Sequence, residues 1–116
     1  MSPSYSSLLE ALTRLRGIRG AMVVEAADGI AVAEELMGGL KGTALAALAA
    51  NLAARAAELS GRGGFGMPRF LHLQATDGSL LIAPASRNLV LVAVAARDVP
   101  LGLLRLEMLR MAEHLV

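Results

Sequence analysis

The sequence predicts an α+β domain in three layers, α/β/α, around a five-stranded and mainly antiparallel sheet, with elements in the order α-β-β-α-β-β-β-α. Three observations carry this. Asp28-Gly29 and Asp77-Gly78 each separate two short runs rich in Val, Ile, Leu and Ala. Such a pair closes a hairpin, because Gly takes positive φ without steric cost and Asp tolerates it. Runs such as Leu89-Val90-Leu91-Val92-Ala93-Val94 do not alternate apolar with polar residues, so the sheet they build needs cover on both faces. Three further segments, one near each end and one central, repeat apolar residues at helical spacing and supply that cover. With 116 residues the chain has the size of one domain, taken as residues 1–116, around one core.

The first helix is expected near Ser7-Leu8-Leu9-Glu10, which has the spacing of a capping box. Leu8, Leu12 and Leu15 continue it, and Gly17 is placed to end it in the left-handed conformation. Strands follow over residues 21–26 and 30–34, then a long helix from Thr43 to Leu59, then strands over 70–75, 79–83 and 89–95. The last helix takes Asp98 as its cap and Pro100 in its first turn, where a missing N–H costs nothing. Leu101, Leu104, Met108, Met111 and Leu115 form its apolar stripe, and Arg105, Glu107, Arg110 and Glu113 its wet side.

Composition removes several function classes. The absence of cysteine excludes disulfides, thiolate nucleophiles and cysteine metal sites, and fits a reducing cytoplasm, the expected location. No basic segment followed by an apolar run marks a secretory signal at the N-terminus. The two richest apolar stretches are interrupted by Lys41, Asn51 and Arg55 and by Pro84, Arg87 and Asn88, so membrane insertion is not expected. A formal net charge of +1 and 3% aromatic residues give neither the basic stripe nor the stacking rings of a nucleic-acid surface.

Enzyme motifs fail on context. Gly61-Arg62-Gly63-Gly64-Phe65-Gly66 matches G-x-G-x-x-G letter for letter, but it follows a helix and runs into a strand, whereas a dinucleotide loop follows a strand and opens a helix onto the pyrophosphate. It reads as a flexible connection, and no cofactor is expected. His72 shares a strand face with Phe70 and Gln74 and reads as a hydrogen-bonded structural residue, with no ligand cluster around it. His114 sits where a positive charge suits a helix C-terminus. Glu34-Glu35, the adjacent acidic pair, reads as a solvated strand end rather than as an acid and base converging from different elements.

The central helix is the informative element, because it is apolar on two opposite sides. At about 100° per residue, Leu45, Leu48, Leu52 and Leu59 fall on one face and Ala46, Ala50, Ala53 and Ala57 on the other, with Asn51, Arg55 and Glu58 in a strip between. The leucine face is expected to cover the sheet. The alanine face is then free, and alanine permits two helices to approach closely, so a two-fold homodimer with Ala46, Ala50, Ala53 and Ala57 in its seam is expected. Asn51, Arg55 and Glu58 would flank that seam and contact a further partner.

Gly17-Ile18-Arg19-Gly20-Ala21-Met22-Val23-Val24 running into Asp28-Gly29-Ile30-Ala31-Val32-Ala33, together with Leu101-Gly102-Leu103-Leu104-Arg105-Leu106-Glu107 at the last helix, resembles the Roadblock family of dynein light chains and their bacterial relatives. The resemblance covers almost the whole chain. It implies a profilin-like sheet with the central helix on one face and the terminal helices on the other. It also implies dimers joined through central helices and an edge strand. It further implies a non-enzymatic regulator or platform for small Ras-like GTPases, since Mgl-type members act as GTPase-activating proteins. Unlike the longer Mgl-type proteins, the sequence ends at Val116. Arg62 and Arg87 are the exposed candidates for an arginine finger, although Mgl-type members are thought to act by reshaping the GTPase. The competing expectation is a small-molecule sensor of profilin-like fold, with its ligand between sheet and helix. Against it, the core reads as Leu, Val and Ala packed solid, without converging polar groups.

Overall fold

Eight elements follow one another in the expected order in the computed structural model, which describes residues 4–86 and 88–115. They are α1 (Tyr5–Thr13), β1 (Ile18–Glu25), β2 (Ile30–Leu36), α2 (Gly42–Arg62), β3 (Leu71–Ala75), β4 (Gly78–Pro84), β5 (Leu89–Ala95) and α3 (Leu101–Ala112). The strands form one sheet in the order β2-β1-β5-β4-β3, and every neighbouring pair is antiparallel. The central strands β1, β5 and β4 are the ones without polar alternation, and they are buried along nearly their whole length. That pattern follows from cover on both faces.

Strand period divides the core in two. Ala21, Val23, Leu81, Leu91 and Ala93 point to one side, where Leu9 and Leu12 of α1 and Leu104 and Met108 of α3 meet them. Met22, Val24, Leu80, Ile82 and Val92 point to the other side, under α2. Two glycines make the turns possible. Gly29 in the β1–β2 turn has φ +66°. Gly17, at φ +89°, joins α1 to β1 with its carbonyl accepting from Ala96 N–H at 2.7 Å, and the Val99 side chain fills the space a Cβ would take.

Two caps differ from expectation. α1 starts three residues earlier than the Ser7 box, because Ser4 is the N-cap and its Oγ accepts from the Ser7 N–H at 3.2 Å. The side chain that would close a box at position 10, Glu10, instead reaches Arg14 at 4.0 Å. Pro100, not Asp98, stands at the N-cap of α3, which therefore has no side-chain cap.

The facing of α2 differs from the expectation, in which the leucines alone cover the sheet. Ala46 and Ala50 are 1% and 7% exposed, Ala49 is buried, and Ala53 and Ala57 are partly buried, all on the side that meets the sheet. Leu45 and Leu52 flank that contact, whereas Leu48 and Leu59 are 52% and 70% exposed. The reason is volume. The sheet presents Met22, Val24, Ile82 and Val92 to this helix, and large side chains on one surface pack densely only against small ones opposite. The turn at Gly29 also presses on the helix, so that an added Cβ would stand 3.4 Å from Ala47 Cα and 3.5 Å from Ala50 Cβ. Leucine at those helix positions would hold the two layers apart.

Candidate interaction surface

With Ala46, Ala49 and Ala50 turned inward, α2 shows solvent a mixed strip. Leu48 and Leu59 stand on it together with Asn51, Arg55 and Glu58, all exposed. The polar members are tied along the helix: Arg55 Nε donates to Asn51 Oδ1 at 2.9 Å, and Glu58 pairs with Arg62 at 3.2 Å. The predicted strip of Asn51, Arg55 and Glu58 thus lies on the free side of α2. Ala46 and Ala50 have no surface left to offer a second chain. Leu48 and Leu59, which the sequence pattern places with the interior leucines, stand there instead, and helical period alone carries no signal to the contrary.

The strip continues in two directions. Beyond Leu59 the chain enters the glycine-rich segment, where Phe65 and Met67 are 83% and 75% exposed. Beside the N-terminal half of α2 lies β3, which pairs on one side with β4 and stands at the sheet edge. Its residues from His72 to Ala75 are exposed, with Leu73 on the α2 side beside Leu45 and Leu48. An unpaired edge with apolar neighbours is a template for another strand.

The remaining expected features have structural roles. His72 shares a 3.1 Å hydrogen bond between Nε2 and Ser79 Oγ. Glu34 lies against the first turn of α2, where its carboxylate fills the space of a Gly42 Cβ; Lys41, the N-cap there, makes no side-chain bond, so a negative charge suits this helix end. At the β1–β2 turn the Glu25 carboxyl is raised above its usual value, first by a hydrogen bond with Asp28 and then by that residue's charge. Arg62, one of the two arginine-finger candidates, is in the ion pair with Glu58; Arg87, the other, lies outside the described residues.

A cleft of about 410 Å³ does open between the C-terminal half of α2 and the sheet, so packing there is not solid. Its walls include Ala53, Ala57, Pro68, Leu71 and Val90, and Asn88 is its lone polar side chain, short of the converging polar groups that orient a small ligand. Among the described residues no group of His, Asp and Glu is placed to hold a metal ion, and no helix is long and apolar enough to cross a membrane.

Comparison with known proteins agrees with this architecture. The sequence profile of the Roadblock/LC7 domain matches residues 5–95. No curated protein sequence matches the chain. A Roadblock/LC7 domain from Streptomyces avermitilis is 20% identical, with a TM-score of 0.86 over 96% of this chain and 93% of its own. The gliding protein MglB from Thermus thermophilus is 25% identical, with a TM-score of 0.83 over 95% of this chain and 84% of its own. An MglB with a tetrameric arrangement is 26% identical, with a TM-score of 0.84 over 95% of this chain and 83% of its own. A profile match across most of the chain and a common fold along nearly its full length place it plainly: the chain belongs to the Roadblock/LC7 domain family.

Proposed function

We infer that the chain is a non-catalytic, dimeric interaction module of the cytoplasm that binds a small Ras-like GTPase and regulates or scaffolds it. The observation that carries this is the exposed apolar strip of α2, Leu48 and Leu59, beside the unpaired edge of β3 with Leu73. A second copy related by a two-fold axis would cover both at once, helix on helix and strand on strand, and join the two sheets into one. The alanines thus contribute from inside, by setting α2 close to its sheet, and not as the seam.

The GTPase belongs on the outer surface of the joined helices, where Asn51, Arg55 and Glu58 repeat on both sides of the axis and supply the polar contacts that specify a partner around an apolar centre. Support for a GTPase comes from the family and from the likeness to MglB at 25% and 26% identity. No arginine finger is assigned, since Arg62 already has Glu58 as its partner at 3.2 Å. Regulation by reshaping the bound GTPase is the reading that the resemblance to Mgl-type members favours.

Light scattering tests the dimer. The parent chain should have twice the protomer mass at micromolar concentration, and Leu48→Glu combined with Leu73→Glu should give a folded monomer. A parent chain that is monomeric overturns the reading. Docking is tested by swapping charges, Arg55→Glu with Glu58→Arg, and measuring binding to small Ras-like GTPases from the same cell, loaded with GDP or a GTP analogue. A swapped variant that stays dimeric and binds with unchanged affinity places the docking surface elsewhere.

A further inference from the structure

On the sheet face opposite α2, between β3 and α3, lies a cleft of about 390 Å³ lined by Arg69, Phe70, His72, Leu81, Leu101 and Arg105. Two guanidinium groups and an imidazole converge there, and the lining contains no carboxylate. Elsewhere the helical arginines are matched. Arg14 pairs with Glu10, Arg62 with Glu58 and Arg110 with Glu107, and Arg55 bonds to Asn51. Arg69 and Arg105 have no carboxylate partner among the described residues.

Two of these three groups are also held in place. The Arg105 guanidinium lies over the Phe70 ring, 5.7 Å from its centroid, a cation–π contact that fixes it at the mouth of the cleft. His72 is anchored through Nε2 to the hydroxyl of the buried Ser79, which leaves Nδ1 for another group. α3 begins at Leu101 without a side-chain cap, so the free amides of its first turn add positive potential at the same end of the helix. The floor is apolar, made by Leu81, Leu101 and the Phe70 ring.

We propose that this cleft receives an acidic, leucine-bearing segment of a protein partner, its carboxylates meeting Arg69, His72 and Arg105 and its apolar side chains lying on Leu101 and the Phe70 ring. A free small anion gains little here, because His72 and both arginines are exposed to water and a single solvent-screened ion pair contributes little by itself. A protein segment adds burial of its own apolar side chains against this floor to several such pairs at once. The site is lined by one chain and lies on the sheet face opposite α2, so it does not rest on the GTPase reading.

The test is titration of the ¹⁵N-labelled full chain with the capped hexapeptide Glu-Asp-Leu-Glu-Asp-Leu, beside its neutral counterpart Gln-Asn-Leu-Gln-Asn-Leu and inorganic phosphate. The acidic peptide should shift the amide signals of Arg69, His72, Leu101 and Arg105 to saturation, and added salt should weaken it. Arg69→Gln with Arg105→Gln should lower affinity about tenfold or more, the loss of at least one charge-assisted contact, while Arg105→Lys retains part of it. Both variants replace exposed side chains, and an unchanged unfolding transition will show that the fold is kept. Equal shifts from the neutral peptide overturn the proposal. So does the absence of shifts at about 10 mM peptide, above the millimolar range of a weak specific contact. Binding of inorganic phosphate at the same residues with equal or higher affinity also overturns it, by making the cleft a small-anion site.

Discussion

Enlarging Ala49 is the sharpest test of which way α2 faces. Ala49 is fully buried on the sheet side, in the layer that contains Met22, Ile82 and Val92. Ala49→Leu inserts three carbons where the layers already meet, and overpacking of this kind costs about 1–3 kcal/mol. At about 2.1 cal/mol/K of unfolding entropy per residue, a chain of 116 residues loses about 4 °C of Tm per kcal/mol, so the expected drop is about 4–12 °C. Leu59→Ala is the control. Its side chain is 70% exposed in one chain, so truncation costs the protomer less than about 1 kcal/mol. Any larger loss at Leu59 must come from the contact between copies and must grow with protomer concentration, whereas the loss at Ala49 does not. Thermal and urea unfolding followed by circular dichroism at two concentrations separates the two. If Ala49→Leu unfolds within about 0.5 kcal/mol of the parent, the range of an ordinary surface substitution, the alanine face is not the packed one and the orientation argued for α2 is wrong.

Gly17→Ala should destabilise the chain by about 1–3 kcal/mol in urea unfolding, because φ is +89° there and the new Cβ collides with Val99. In a carbon-detected titration the Glu25 carboxyl should lose its proton at a higher pH than an ordinary glutamate, and Asp28→Asn should bring it back down, since Asp28 is the first cause of the shift. The sign follows: a carboxyl whose folded pKa is raised favours the folded state below its unfolded pKa and gives that up as pH rises through the folded value. Glu25→Gln should therefore remove a small stability increment on the acid side of that window and leave neutral pH unchanged or slightly improved. Ser79→Ala should release His72 Nε2 from its 3.1 Å partner, and the ring-nitrogen shifts will report the change in tautomer balance.

What the sequence disclosed and what it concealed divide along a physical line. The hairpins were legible because their signal is local: Asp28-Gly29 and Asp77-Gly78 state a backbone requirement, and Gly29 meets it at φ +66°. The layering was legible because an unalternating strand such as β5 has one remedy, cover on both sides. The Ser4 cap was concealed by redundancy, since Ser4, Ser6 and Ser7 all stand at the start of the first helix and period does not choose among them. Charge in the β3–α3 cleft was concealed too, because Arg69 and His72 come from the chain around β3 and Arg105 from α3, and only the tertiary fold brings them together.

The facing of α2 is the deeper case. Period gives the helix two apolar sides about 140° apart and ranks neither. Hydrophobicity puts leucine inside, and for an isolated helix that choice is sound. In the fold the decision belongs to the opposing surface, since the gain from a buried leucine is lost if it lifts the helix off Met22, Val24, Ile82 and Val92. Small residues go inward where the sheet is already large, and the displaced leucines then face water at a cost that a second surface would relieve. The exposed Leu48 and Leu59 are therefore the consequence of how the core was filled, and in the proposed dimer one sequence pattern would serve both the packing of the protomer and the contact between copies.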